Sequence, residues 1–461
     1  MPLNGKTGIL DMTSVPPTAY THRQRRKGEI ISYSVPNDVR CASVLEHAFT
    51  SVPFYRGWKS KDPGPGVPIA LRFAALPTLG KRDVRANVPR GFMDDEHARK
   101  SGFASGEIEI VTTSGTSEDR VSVVWHQAWW DRSEREAARI NPVLARIFSH
   151  THREAVLTSP LCAGNICHVG DAPMKDRIVD SLLFLNQSPD PTSWDAQNVR
   201  RMAEELRLFQ PEILESDPAY LAILSRACAD AGIELYRPAC IVLTYEFPSR
   251  MHLRAIRSGF PGVPVVSSYG STETGHVFTQ CEAGAFHQNT ATCHVDIQPF
   301  RQEIGDPHVG RILVSTLDNP WFTLLRFDVG DLARIAPAPC PCGRTDGLTV
   351  ASIEGRSRDV TFTTEGRTVT AKALDDALAE ATELTGYLVE QVGHGRYVAR
   401  YQSERGAEER TREAVQESLR SVYGRGAAVE TRLDAALAPE QSGKFRLAHA
   451  APLPSVEALY A

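Results

Sequence analysis

Five short segments gather hydroxyls, carboxylates, an aromatic ring and a lysine of the kinds that handle a nucleotide. Thr112-Thr113-Ser114-Gly115-Thr116-Ser117 offers hydroxyl and backbone N–H groups in a glycine-containing loop, a cradle for phosphate oxygens. Ser268-Tyr269-Gly270-Ser271-Thr272-Glu273-Thr274-Gly275 follows the apolar run Val263 to Val266. There an aromatic ring can stack on a base and a carboxylate can hold Mg²⁺ through hard oxygen ligands. In Arg326-Phe327-Asp328-Val329-Gly330-Asp331, the second Asp can accept both hydroxyls of a ribose. Gly355-Arg356-Ser357-Arg358-Asp359 is a charged turn. Ser442-Gly443-Lys444-Phe445-Arg446 puts a lysine on a glycine-supported loop, from which a compact point charge can reach a distant anion. Each segment read alone is also an ordinary polar turn or a solvated surface loop.

The elements around these segments alternate between strand and helix. Ile108 to Val111 and Val121 to Trp125 flank the first loop as short apolar strands. A helix is predicted over Asp131 to Phe148, then a strand over Ala155 to Leu157. Helices follow over Asn198 to Leu208 and Tyr220 to Ala231, the latter closed by Gly232. Cys240 to Leu243 and Val263 to Val266 are β-rich. The alternation points to βαβ units and an α/β fold with mainly parallel sheets and flanking helices. After Ile353 the pattern becomes β-α-β-α-β, with helices over Leu374 to Ala381 and Ala407 to Val422. The expectation is a large domain over residues 1–354 and a separate small α+β domain over 355–461.

Composition narrows the class. The 461 residues are 42% hydrophobic and 23% charged, as in an ordinary soluble protein, and are enough for more than one domain. The net charge of -5 implies no general affinity for polyanions, so no nucleic-acid partner is expected. The basic stretch His22 to Lys27 reads as a solvated tail within a polar, Pro-bearing opening of about 35 residues. That opening lacks the apolar core of a signal peptide, and no run is long enough for a membrane helix. A cytoplasmic protein without a membrane partner is the expectation.

Nine cysteines, an odd number with no signal peptide, argue against a disulfide framework. Cys41, Cys162, Cys167, Cys228 and Cys240 read as buried small hydrophobes. Cys281 and His287, with Cys340 and Cys342, supply three thiolates and an imidazole suited to tetrahedral structural Zn²⁺. Cys293 and His294 are rival ligands, and unmetallated thiols are the alternative.

In their order, the five segments resemble the core motifs of the superfamily of acyl-CoA synthetases, peptide-synthetase adenylation domains and luciferases. TTSGTS resembles its phosphate loop, SYGSTE its YGxTE motif and RFDVGD its ribose motif. EGRSRD resembles its hinge, and SGKFR the loop of its catalytic lysine. Val52-Pro53-Phe54-Tyr55-Arg56, Leu76 to Arg85 (LPTLGKRDVR) and Cys340 to Arg344 (CPCGR) are similar to segments of the phenylacetate-CoA ligase branch, some of whose members carry such a zinc. The resemblance covers roughly residues 41 to 450.

The resemblance implies ATP-dependent activation of a small aromatic acid, a hydroxy- or aminobenzoate, to an acyl-AMP. Transfer to CoA or to the phosphopantetheine of an acyl carrier protein would follow. Thr113, Ser114, Gly115, Thr116 and Ser117 would bind the phosphates. Tyr245 and Glu246, in the place of the family's GAE, would line the adenine with Tyr269, Gly270 and Ser271. Thr272 and Glu273 would bind phosphate and Mg²⁺, and Asp331 the ribose, helped by Arg356. Arg358 would be the hinge residue, and Lys444 would bridge carboxylate and α-phosphate. Asn165 and His168, near Cys167, would contact the acid, with Tyr245 and Tyr269 about its ring. A homodimer is a further expectation. Two departures leave other readings open. Glu118-Asp119-Arg120 replaces the usual Gly and Pro-Lys, and Thr244-Tyr245 replaces Gly-Ala. Transfer of the acyl group to an amine or hydroxyl is one alternative, and a catalytically silent homologue another.

Overall fold

The computed structural model describes residues 37–93, 96–113, 120–160, 172–451 and 456–460. Its largest element is a sheet of twelve strands. Five of these, in the order Val265–Ser271, Cys240–Leu243, Ile213–Ser216, Glu154–Leu157 and Leu182–Phe184, are parallel neighbours. Cys240–Leu243 is apolar and buried throughout, as expected of a central parallel strand covered on both faces. Ala155, Leu157, Leu214, Ile241 and Leu243 face the helices Ala196–Phe209 and Pro218–Asp230. Ile213, Cys240, Val242 and Val266 face Ala138, Leu144 and Ile147 on the opposite side. Truncating one of these buried leucines to alanine costs about 2–5 kcal/mol.

Beyond Val265–Ser271 the sheet turns antiparallel, through Gly275–Gln280, Phe286–Gln288, Thr349–Arg356, Phe327–Ile335, Val309–Thr316 and Cys293–Pro299. The α/β reading of the sequence therefore holds, but the large sheet is not mainly parallel: antiparallel pairings outnumber the parallel ones, which are gathered in one half. The strand Val265–Ser271 is the seam, parallel to one neighbour and antiparallel to the other.

A separate sheet of four strands lies near the C-terminus, in the order Ala428–Leu433, Arg396–Ser403, Leu384–Gly393 and Ala448–Ala450. Leu374 of the helix Ala371–Ala377, and Val415, Leu419 and Tyr423 of Glu408–Tyr423, share one core with it. Thr370 starts the first of these helices by accepting from the Ala373 N–H, so it begins earlier than its apolar spacing suggests.

The single helix expected over Asp131 to Phe148 is two, Gln127–Ala138 and Pro142–Ile147. Asn141 caps the second through the Val143 N–H, and Pro142 cannot donate back into the first. No helix among the described residues is long and apolar enough to cross a membrane.

Candidate active site

Three segments leave the carboxyl ends of adjacent parallel strands, where open α/β sheets bind ligands. Asp217 follows Ile213–Ser216 and caps the helix Pro218–Asp230, accepting from Ala219 N–H at 2.9 Å. Thr244, Tyr245 and Glu246 follow Cys240–Leu243. Tyr269 to Glu273 continue the seam strand into its turn. Tyr245 holds a left-handed backbone, with φ of 69°, which a bulky side chain adopts only under constraint from its surroundings. Two contacts supply constraint here: its hydroxyl donates to Glu215, and its carbonyl is engaged from the C-terminal side.

That engagement comes from the Lys444 loop. Lys444 Nζ donates to the Tyr245 carbonyl at 3.0 Å, and the Phe445 N–H donates to Glu246 Oε1 at 2.6 Å. The Tyr220 hydroxyl donates to the Gly443 carbonyl at 3.0 Å. Gly443 has φ of 83°, and a side chain there would collide with Ser159, so glycine is what lets the loop approach. Glu440 closes the loop, accepting from Gly443 N–H and donating its own N–H to the Lys444 carbonyl, each at 2.8 Å.

Two carboxyls lie within electrostatic reach of the lysine. Burial pushes Asp217 up to about 7, against the opposing pull of the Ala219 N–H and of Lys444. Burial, and then the Asp217 charge, push Glu246 well above the carboxylate range, while Lys444 and Arg356 pull it back. The Lys444 charge thus acts on two acids that resist ionising together.

On the seam strand, the Tyr269 hydroxyl donates to Asp331 Oδ2 at 2.9 Å, and Arg356 Nε lies 3.7 Å from Asp331 Oδ1. Asp331 and Arg356 are paired residues on neighbouring antiparallel strands, which places the ribose-motif acid beside its basic partner. A side chain at Gly270 would run into the Gly275 carbonyl, so the backbone turns tightly there. Ser271 and Thr274 hydroxyls are 2.9 Å apart, Thr272 is half-buried and Glu273 is buried. Thr113 is buried, its hydroxyl accepting from Val121 N–H at 3.0 Å. Arg358 Nη2 lies 3.4 Å from Glu440 Oε2, tying the charged turn to the Lys444 loop. Arg446 Nε donates to Asp359 Oδ1 at 2.7 Å.

Sulfur and imidazole converge elsewhere on the large sheet. The ligand atoms of Cys281, His287, Cys340 and Cys342 all lie within 4.8 Å of one another. Cys281 and Cys340 sulfurs are 3.6 Å apart, and Cys342 Sγ is 3.2 Å from His287 Nε2. The other ring nitrogen, Nδ1, is 3.2 Å from Thr349 Oγ1, a partner that orients the ring as metal-bound histidines are oriented. The rivals stand apart from this group. Cys293 Sγ donates to the Asn289 carbonyl at 3.4 Å, and His294 stacks on Phe73 at 4.3 Å.

Ser114, Gly115, Thr116 and Ser117, with Glu118 and Asp119, lie outside the described residues, as do Asn165, Cys167 and His168 and the basic stretch at 22–27. Asp217 and Glu215 went unnoticed in the sequence. The Ser216-Asp217-Pro218 step after an apolar run is a helix-start signature at a strand end and could have marked the first. Glu215 carries no such signal. It sits with Glu134 and Glu154, their carboxylate oxygens within 4.8 Å.

No protein-family model matches this sequence, and no curated protein matches it either. Solved structures do match in shape. The chain has the fold of the adenylate-forming superfamily. Among the similar structures is 2-hydroxyisobutyryl-CoA ligase in its postadenylation state with a 2-hydroxyisobutyryl-AMP ligand. It is 15% identical, with 86% of this chain and 85% of that one covered and a TM-score of 0.64. The same enzyme in that state with R3-HIB-AMP gives 15% identity, 90% and 88% coverage and a TM-score of 0.66. With CoA in its thioesterification state it gives 17%, 90% and 89%, and 0.51.

Proposed function

We propose that this chain is an ATP-dependent ligase that activates a small carboxylic acid as an acyl-AMP and releases pyrophosphate. The observation that carries the reading is the entry of Lys444 among the strand ends, its ammonium on the Tyr245 carbonyl and its loop backbone on Glu246. A lysine so placed can neutralise charge where two anions must meet. An acid carboxylate oxygen would bond to the α-phosphorus while the bond from that phosphorus to pyrophosphate breaks. Such chemistry asks for positioning and charge compensation more than for covalent help.

In this reading Tyr269 orients Asp331 for the ribose, with Arg356 alongside. Thr113 to Ser117 and Thr272 receive phosphate oxygens. Glu273 supplies a carboxylate for Mg²⁺, which would neutralise phosphate charge. Tyr245, Tyr269, Asn165 and His168 line the acid, and an aromatic acid is the class we favour from the sequence resemblance. Residues 1–354 form the large part and 355–461 a smaller part turning about Arg358. CoA or a carrier-protein thiol is the proposed acceptor. The docked Lys444 weighs against a silent homologue. The four-ligand group of Cys281, His287, Cys340 and Cys342 suits a structural Zn²⁺: four protein ligands close the coordination shell and leave no catalytic position.

Acid-dependent exchange of labelled pyrophosphate into ATP, run over a panel of aryl and small aliphatic acids, tests the reading. Adding CoA, a carrier protein or an amine to the productive acid then identifies the acceptor.

A further inference from the structure

The segment Tyr245 to Arg250 is held twice by the C-terminal part of the chain. At one end Lys444 and Phe445 bond Tyr245 and Glu246. At the other, the Arg250 N–H donates to Asp375 Oδ1 at 2.8 Å, and the Arg250 guanidinium meets Asp376 Oδ1 at 2.6 Å. Arg250 is the first residue of the helix Arg250–Gly259, where backbone N–H groups lack partners within the helix. Ser249 already caps that helix through His252 N–H, so Asp375 is a second cap, supplied from the helix Ala371–Ala377. Its charge also suits the positive end of the helix dipole.

The two acids are not equal. Arg250 and Asp376 are roughly half exposed, and such a pair contributes little. The Asp375 side chain is only 5% exposed, and removing its acceptor would leave the part-buried Arg250 N–H at the helix start without this partner. Around this point Arg254 reaches the Ala381 carbonyl at 3.1 Å and Arg226 the Thr385 carbonyl at 3.3 Å. Met251 and Phe247 pack into the core of the four-stranded sheet.

We infer that Asp375, assisted by Asp376, is a positioning residue for Lys444: by capping the helix at Arg250 it fixes the C-terminal sheet against the same short segment on which Lys444 docks. The geometry is a two-point clamp in which loosening one point frees the other. The kinetic consequence rests on the adenylation reading; the clamp itself does not.

Hydrogen exchange on the full chain, read for the peptide covering 440–446, tests the clamp without any activity. Asp375→Ala is expected to raise exchange at the Phe445 amide by on the order of tenfold or more, and Asp375→Asn, which keeps an acceptor for the Arg250 N–H, to raise it less. Exchange in Leu384–Gly393 and Arg396–Ser403 should stay as it is. Arg250→Ala, Asp376→Ala and their double variant should each give a smaller increase, the double no larger than either single. In pyrophosphate exchange, Asp375→Ala should lower kcat while KM for ATP holds. Unchanged exchange over 440–446 in Asp375→Ala would overturn the inference. So would equal loss of protection in the two strands, which would make Asp375 a residue of the fold alone. If wild-type protein shows no acid-dependent activity yet the exchange result holds, the clamp stands and the adenylation reading fails.

Discussion

Lys444 Nζ donates to the main-chain carbonyl of Tyr245 at 3.0 Å, across 199 positions of sequence. The contact joins a C-terminal loop to the end of a parallel strand and depends on Tyr245 keeping its left-handed backbone. It places one positive charge beside Asp217 and Glu246, two carboxyls whose pKa values burial raises.

Asp217 makes the protein's stability respond to pH. Its carboxyl is raised from an ordinary 3.8 to about 7, so the folded state prefers it protonated. That contribution is whole below pH 3.8 and is lost as pH rises through 7. Asp217→Asn keeps a helix cap and removes the titration. It is expected to raise stability at pH 8 by on the order of 1–3 kcal/mol relative to the parent, with the difference shrinking towards pH 4. Urea unfolding at several pH values measures it; a difference that does not vary with pH would contradict the assignment.

Tyr269→Phe removes the hydroxyl that holds Asp331 Oδ2 and leaves the ring. One neutral-to-charged hydrogen bond of this kind is worth about 1.5–3 kcal/mol. KM for ATP should rise roughly tenfold or more, with KM for the acid little changed. Steady-state kinetics with each substrate varied would show it, and an unaltered KM for ATP would remove Tyr269 from the ribose side.

The sulfur site predicts about one equivalent of zinc in purified protein. Cys340→Ser should lower both metal content and Tm. Because four protein ligands leave the metal no open position, activity per folded molecule at low temperature should persist. Elemental analysis finding less than about half an equivalent would sink the zinc assignment.

Three strands of the parallel half, Glu154–Leu157, Cys240–Leu243 and Val265–Ser271, were legible as brief apolar runs between helices with recognisable caps and stops, such as Gly232 after Pro218–Asp230, whereas Ile213–Ser216 and Leu182–Phe184 were not. The antiparallel half was not. Val309–Thr316 is buried at every position, so no alternation marks it as a strand. The strands Leu384–Gly393 and Ala448–Ala450 of the C-terminal sheet also escaped notice, although the first alternates in the structure. Within the site, Lys444, Tyr269, Asp331 and Arg356 could be nominated from short segments, since glycine and hydroxyl neighbours mark a loop near a ligand. Asp375 could not, because its partner Arg250 lies far along the chain, and the Ser216-Asp217-Pro218 step marks Asp217 as a helix start without showing its nearness to Lys444.

Pyrophosphate exchange into ATP by wild-type and Lys444→Ala protein, over a panel of acids, tests the central reading most directly. The expected result is acid-dependent exchange by the parent that falls by about two to three orders of magnitude in Lys444→Ala, while acyl transfer from preformed acyl-AMP persists. Exchange at the parental rate in Lys444→Ala would contradict the role given to that lysine, and no exchange by the parent with any acid would contradict the reading as a whole.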